Sequence, residues 1–205
     1  MTRLFAIISL ITTTIFIIAI LILHFLPTGV NPLISGISFY ALSRYGYLFG
    51  LAVIQIGISG IALSLALWPV AVPTAGRIGL LLLIAWGLTT ILAGLFPLDA
   101  PGAAPTLSGR IHNMAGLNFL LLAPALLLIE LSHSKGAQPH QPRPITFWLA
   151  WVLLAAAVLL FTFNGPLYSL EIGGLIQRLY WLVTVIWLIF KSFQVLHGDT
   201  VQPTG

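Results

Sequence analysis

The sequence predicts an all-α fold: a polytopic membrane bundle of six transmembrane helices with a short interfacial helix in the first outer loop. Three observations lead there. Hydrophobic residues fill 59% of the 205 positions and charged residues only 6%, too little polarity to cover a soluble domain of this size. Apolar runs recur along the chain, and most can cross a hydrocarbon core of roughly 30 Å at about 1.5 Å per residue. Segments containing proline, glycine or charge separate them.

The first run, Leu4 to Leu26, follows Arg3. Its uncharged core is too long for a signal peptide and no small-x-small cleavage site follows, so a retained helix is expected. Next come Tyr47 to Trp68, with Gly46, Gly50, Gly57 and Gly60, and Ile78 to Phe96, with Gly87 and Gly94. Glycines at these spacings let helix backbones approach closely, and Gln55, Thr89 and Thr90 are placed for interhelical hydrogen bonds worth about 0.6 to 2 kcal/mol. The fourth run, Ile111 to Leu131, is reached through FPLDAPGAAPTLSGRIHNMAG, Phe96 to Gly116. That stretch must leave the helix at Pro97, turn through Pro101, Gly102 and Pro105, and re-enter with Thr106 or Ser108 as N-cap. Phe147 to Phe163 and Leu175 to Phe190 complete the six. No repeat period stands out and no discontinuous helix is expected. Residues 1–205 read as a single domain with a flexible loop at 133–144 and a tail at 194–205.

Six spans place both termini on one side. Arg3, Arg77, Lys135, Arg143 and Lys191 fall with them, against Arg44, Arg110 and Arg178 opposite. The positive-inside rule then predicts a cell-membrane protein with cytoplasmic termini. The formal charge of +4 reflects this topology and does not point to nucleic acid. His133 and His140 belong to the cytoplasmic loop and are expected to be solvated.

The opposite face gathers His24, Arg44, Asp99, Arg110, His112, Glu171, Gln177 and Arg178. Its first loop contains ISFYALSRY, too short to span and mixed enough to lie at the interface. In the second, Asp99 either pairs with Arg110 to pin the loop or orients His112, whose imidazole shares a stripe with Ala115, Gly116 and Phe119 and points inward. Arg178 either snorkels to the headgroups or faces inward toward an anion, Glu171 or a ligand phosphate or carboxylate. Metal chemistry is not expected. His24, His112, Asp99 and Glu171 come from separate segments without ligating spacing, HExxH is absent, and the chain has no cysteine. No cofactor is expected either, because the sequence has no P-loop or dinucleotide fingerprint and no pair of histidines facing across the bundle core to hold haem.

LHFLPTGVNPLISGISFYALSRYGYL, FPLDAPG with TLSGRIHNMAG, and GLIQRLYWLVTVIWL touch five of the six helices in order. Together they resemble a prokaryotic membrane family called domain of unknown function 998. The resemblance implies a six-helix membrane protein with His24, Ser38, Tyr40, Asp99, Gly109, His112, Gln177 and Arg178 as signature residues. It implies no activity.

The leading expectation is a polar pocket at the outer face that binds an anionic amphiphile or lipid headgroup. Arg178, Arg110 and Arg44 would serve it, with Gln177, Tyr40, Ser38 and Glu171 as further ligand-binding candidates. An alternative is a membrane-embedded enzyme acting on a lipid or isoprenoid, with Asp99 and His112 as acid–base pair and His24 as a third catalytic candidate. Transport and a scaffolding role are further alternatives. Membrane lipids are the expected partners, alongside a membrane-protein partner or a second copy of the chain.

Overall fold

The computed structural model describes residues 1–70, 74–134, 144–163 and 171–198. Among these, seven α-helices form: α1 Thr2–Phe25, α2 Gly46–Leu67, α3 Thr74–Leu95, α4 Leu107–Gly116, α5 Phe119–Ser134, α6 Ile145–Phe163 and α7 Gly173–His197. Helix α1 is rich in isoleucine and threonine, residues of modest helix propensity in water. In hydrocarbon every backbone group must be satisfied within the segment, and the helix becomes the only local solution. It stops at Leu26, whose extended backbone (φ −78°, ψ 151°) is what a following proline, Pro27, imposes.

Six spans were expected. Five stretches are long and apolar enough to cross a membrane, and α6 contributes a shorter apolar stretch, Ile145–Leu160. The fourth span, Leu107–Ser132, is two helices, which corrects the expectation that no helix is discontinuous. Around Leu117 and Asn118 the backbone switches to three-residue hydrogen bonds: Leu117 to Met114, Asn118 to Ala115 and Leu120 to Leu117. The cause is local chemistry. Gly116 and Asn118 are weak helix formers, Pro124 one turn and a half later lacks an N–H, and the Asn118 amide donates to Thr90 Oγ1 on α3 at 2.7 Å.

The α2–α3 contact is set by facing glycines. A Cβ on Gly57 would lie 2.6 Å from the Gly87 carbonyl oxygen, and one on Gly50 would lie 2.8 Å from that of Gly94. The helices α1, α2, α3, α5, α6 and α7 pack each against the next, and α7 returns to α1. This closes a ring. One of its faces carries the loops after α1 and α3, here the loop face. The other, the terminal face, carries Met1 and His197. Buried hydroxyls tie α1, α2 and α7 inside the ring, with Ser59 Oγ 2.8 Å from Ser9 and 2.7 Å from Thr13, and Ser192 3.1 Å from Ser9.

ISFYALSRY does form a short helix, a 3₁₀ turn over Ile37–Leu42. It does not lie loosely on the surface: Ile37 and Tyr40 are buried. The loop residues 135–143, His140 among them, and most of the third loop, including Tyr168, lie outside the described residues, as does the tail beyond Gly198.

Candidate functional site

Arg178 organises one half of the loop face. Its Nε donates to His24 Nε2 at 3.0 Å, Nη1 to the carbonyls of Pro32 and Ser35 at 2.7 Å and Gly174 at 3.0 Å, and Nη2 to the Tyr40 hydroxyl at 3.3 Å. Arginine suits this because its rigid fork reaches several acceptors at once. The His24 Nδ1 donates to the Ile20 carbonyl at 2.7 Å, so both nitrogens of His24 are engaged and it is not an available base. Next to it Gln177 Oε1 accepts from the Ile37 amide at 2.6 Å, and a Cβ at Gly36 would collide with that oxygen. The Gly174 and Leu175 amides donate to the Ile34 and Leu33 carbonyls at 3.0 and 2.9 Å. The first loop thus satisfies N–H groups that the start of α7 leaves without helical partners. Glu171 does not pair with Arg178; it is exposed, with φ of 50° at the approach to α7.

Asp99 organises the other half. Its carboxylate accepts from the Thr106 amide at 2.9 Å and the Thr106 hydroxyl at 2.7 Å, while Thr106 Oγ1 accepts from the Gly109 amide at 3.1 Å as N-cap of α4. A side chain at Gly109 would strike the Asp99 carboxylate. These hydrogen bonds, first from the Thr106 hydroxyl and then from its amide, hold the Asp99 carboxyl below its usual range, and the Arg110 charge adds a smaller push. The expected Asp99–Arg110 ion pair does not form, and Arg110 is exposed. Nor does Asp99 orient His112. The His112 Nδ1 donates instead to the carbonyls of Ala93 and Phe96, at 3.0 and 2.8 Å, capping the end of α3. That fixes the proton on Nδ1 and leaves Nε2 as an acceptor. Arg44 is exposed and turns its guanidinium onto the neighbouring Tyr45 ring and hydroxyl.

Between these halves lies a cavity of about 590 Å³, within the size range of small-molecule sites. Phe49, Val53, Leu160 and Trp181 give it apolar walls, Ser38, His112, Asn113, Asn118 and Gln177 its polar groups. No Asp, Glu, Lys or Arg among the described residues lines it. Tyr180 also lines it, with its hydroxyl buried beside Trp86 and Thr184. The broken helix is part of this wall, through Gly116, Leu117 and Asn118. Chemically the cavity can hold hydrocarbon and hydrogen-bond a polar group, with one imidazole nitrogen able to accept a hydrogen bond.

The family described as Protein of unknown function (DUF998) matches residues 10–192. The chain belongs to this family. No curated protein matches it, and no solved structure does. The match spans both halves of the loop face and the cavity between them. Membership in DUF998 brings no activity with it.

The sequence reading missed a second polar centre near the terminal face. Lys191, assigned by topology to the side of the termini, is buried in α7 with Nζ 2.9 Å from Glu130 Oε1 on α5. Trp187 Nε1 donates to the same oxygen at 3.1 Å, and Thr146 Oγ1 on α6 donates to Oε2 at 3.0 Å. An acid inside the run LLLIELS was the available signal, because an ionisable residue within a span demands a partner. No three metal-ligating side chains converge among the described residues, so His24, His112, Asp99 and Glu171 stay apart.

Proposed function

We propose that this chain is a membrane-embedded binding protein for an anionic amphiphile, held with its hydrocarbon in the loop-face cavity and its polar head among Ser38, His112, Asn113 and Gln177. The observation that carries the reading is the cavity itself: ligand-sized, aromatic-walled, with converging polar groups. An anionic head is favoured because Arg44, Arg110 and Arg178 outnumber Asp99 and Glu171 on that face. Arg178 acts through its field and by holding the roof, since most of its N–H groups already have acceptors. The loop face is assigned to the outer leaflet, because Arg3, Arg77, Lys135 and Arg143 remain at the opposite side after Lys191 is removed from the count.

The helix break on the cavity wall favours transport as a second reading, since transporters build their sites from interrupted helices. Catalysis by Asp99 with His112 is not carried forward, because Asp99 is engaged by Thr106.

Gly116 supplies the test. It lines the cavity, and a Cβ there meets nothing within 4 Å, so Gly116→Phe adds bulk without forcing the backbone. Native mass spectrometry of protein released from nanodiscs containing phosphatidylglycerol should show a retained lipid on the wild type and its loss from Gly116→Phe at unchanged thermal stability. A bare wild type, or full retention in the variant, would sink the proposal. Uptake of the lipid across a liposome membrane would move the assignment to transport.

A further inference from the structure

Where α7 returns to α1, the ring does not seal completely. A groove of about 280 Å³ runs along this seam from Phe16 to His24, with Leu21 on one wall, Leu182 on the other and Arg178 at its loop-face end. Eight helical steps along α1, from Phe16 to His24, give it a length of about 12 Å. Leu21 and Leu182 are roughly half exposed, at 53% and 52%, as expected of side chains that meet lipid. Two residues, Ile37 and Trp181, line both this groove and the central cavity. They are the partition between bilayer and cavity.

From this geometry we infer that the α1–α7 seam is the lateral mouth of the cavity, occupied by a glycerophospholipid drawn from the bilayer with one acyl chain in the groove and its phosphate at Arg178. This rests on the cavity being a binding site. Three observations set the occupant. The groove is apolar along its length and polar only at its loop-face end, the profile of a lipid chain below a headgroup. All the acceptors around Arg178 are neutral, namely three carbonyls, an imidazole nitrogen and a phenol. No carboxylate among the described residues forms an ion pair with it. Its positive charge is therefore left for an anion, and one Nη2 hydrogen remains to be donated. The partition can yield: Trp181 is only half-buried and makes tilted contacts with Phe16 and Trp86, at ring-centre distances of 5.3 and 6.2 Å. Rotation of this side chain is the opening that the lateral mouth requires.

The test uses the full chain in nanodiscs doped with a phosphatidylglycerol that carries a photoreactive diazirine on its acyl chain, with adducts mapped by peptide mass spectrometry. The wild type should be labelled in the groove, on Leu21 and Leu182, and in the cavity, on Phe49 and Val53. Leu182→Trp should lose both sets by about tenfold or more, whereas Gly116→Phe should lose the cavity set alone. Leu21→Trp closes the groove from the other wall and serves if Leu182→Trp does not assemble. Cavity labelling that persists behind either groove plug overturns the lateral mouth and leaves the cavity reading standing. Groove labelling with an unlabelled wild-type cavity defeats the cavity reading and the lateral mouth with it. Groove labelling no stronger than that of the exposed α6 residues Trp148 and Val152, or equal labelling by a diacylglycerol probe without phosphate, overturns the phospholipid site.

Discussion

Removing one partner of the Glu130–Lys191 pair should damage the bundle far more than removing both. At 2.9 Å and an effective dielectric of about 20, the Coulomb attraction is roughly 6 kcal/mol. Desolvation of each ion costs several kcal/mol, so the intact pair stands near break-even. With side-chain exposures of 0% and 3%, however, either charge alone has no water to turn to. Lys191→Met leaves the Glu130 carboxylate with only Trp187 and Thr146 as donors among the described residues, a loss of about 3 to 5 kcal/mol. At roughly 2 to 4 °C per kcal/mol for a chain of this size, the melting temperature should fall by about 6 to 20 °C. Glu130→Leu with Lys191→Met removes both ions and should recover most of that loss, less about 1 to 3 kcal/mol for the two hydrogen bonds of Glu130. Thermal unfolding in a mild detergent, run as a double-mutant cycle, reads all four states. A double variant no more stable than the worse single one would refute the argument, as would a Lys191→Met cost below about 1 kcal/mol.

Arg178→Lys should lower stability by about 2 kcal/mol or more, since an ammonium cannot reproduce the fork that reaches His24, Tyr40 and three carbonyls; amide exchange in residues 27–45 should rise at the same time. Gly109→Ala should drive the Asp99 carboxylate off Thr106 and loosen the first turn of α4, read as faster amide exchange there and a lower thermal midpoint. The hold of Asp99 on the Thr106 cap also has a pH signature. Thr106 favours the ionised carboxylate in the folded state, so this stabilisation is complete above the ordinary value of 3.8 and is lost as pH falls through the lower folded one. Exchange at Gly109, corrected for its intrinsic pH dependence, should therefore accelerate in that acid range for the wild type and not for Asp99→Asn.

Much of this fold could be read from residue order because membrane helices are governed by a local rule, that backbone polar groups be satisfied within the segment. Five spans, Thr106 as one of two N-cap candidates and the close approach of the glycine-bearing helices follow from composition and spacing alone. The break at Leu117 and Asn118 escaped because one polar residue in an apolar run does not announce it; the hydrogen bond of Asn118 to Thr90 depends on where α3 stands. The candidate site was legible as a list of residues and not as a set of contacts. His24, Asp99 and Arg178 do converge on the loop face, but their partners are backbone carbonyls, a hydroxyl and an imidazole, whose positions depend on loop conformation. Glu130 and Lys191 are 61 residues apart in sequence, and only the ring, which sets α5 and α7 on either side of α6, brings the two side chains together as one centre.

This division of labour bears on how binding residues are to be sought in DUF998 proteins. The most conspicuous polar residues of the loop face are largely engaged with the protein itself: His24 at both ring nitrogens, Asp99 at Thr106, Gln177 Oε1 at the Ile37 amide. Substituting them should disturb the roof and the α4 cap before it disturbs any ligand contact. Groups still free to meet an occupant are plainer, such as Ser38, Asn113 and His112 Nε2 on the cavity wall. A scan that scores lipid retention alone would rank the roof residues first and mistake scaffold for site. Measuring thermal stability in the same preparations separates the two classes: Arg178→Lys should lose both quantities together, whereas Asn113→Ala, an exposed position on α4 beside the cavity, should lose retention at unchanged stability.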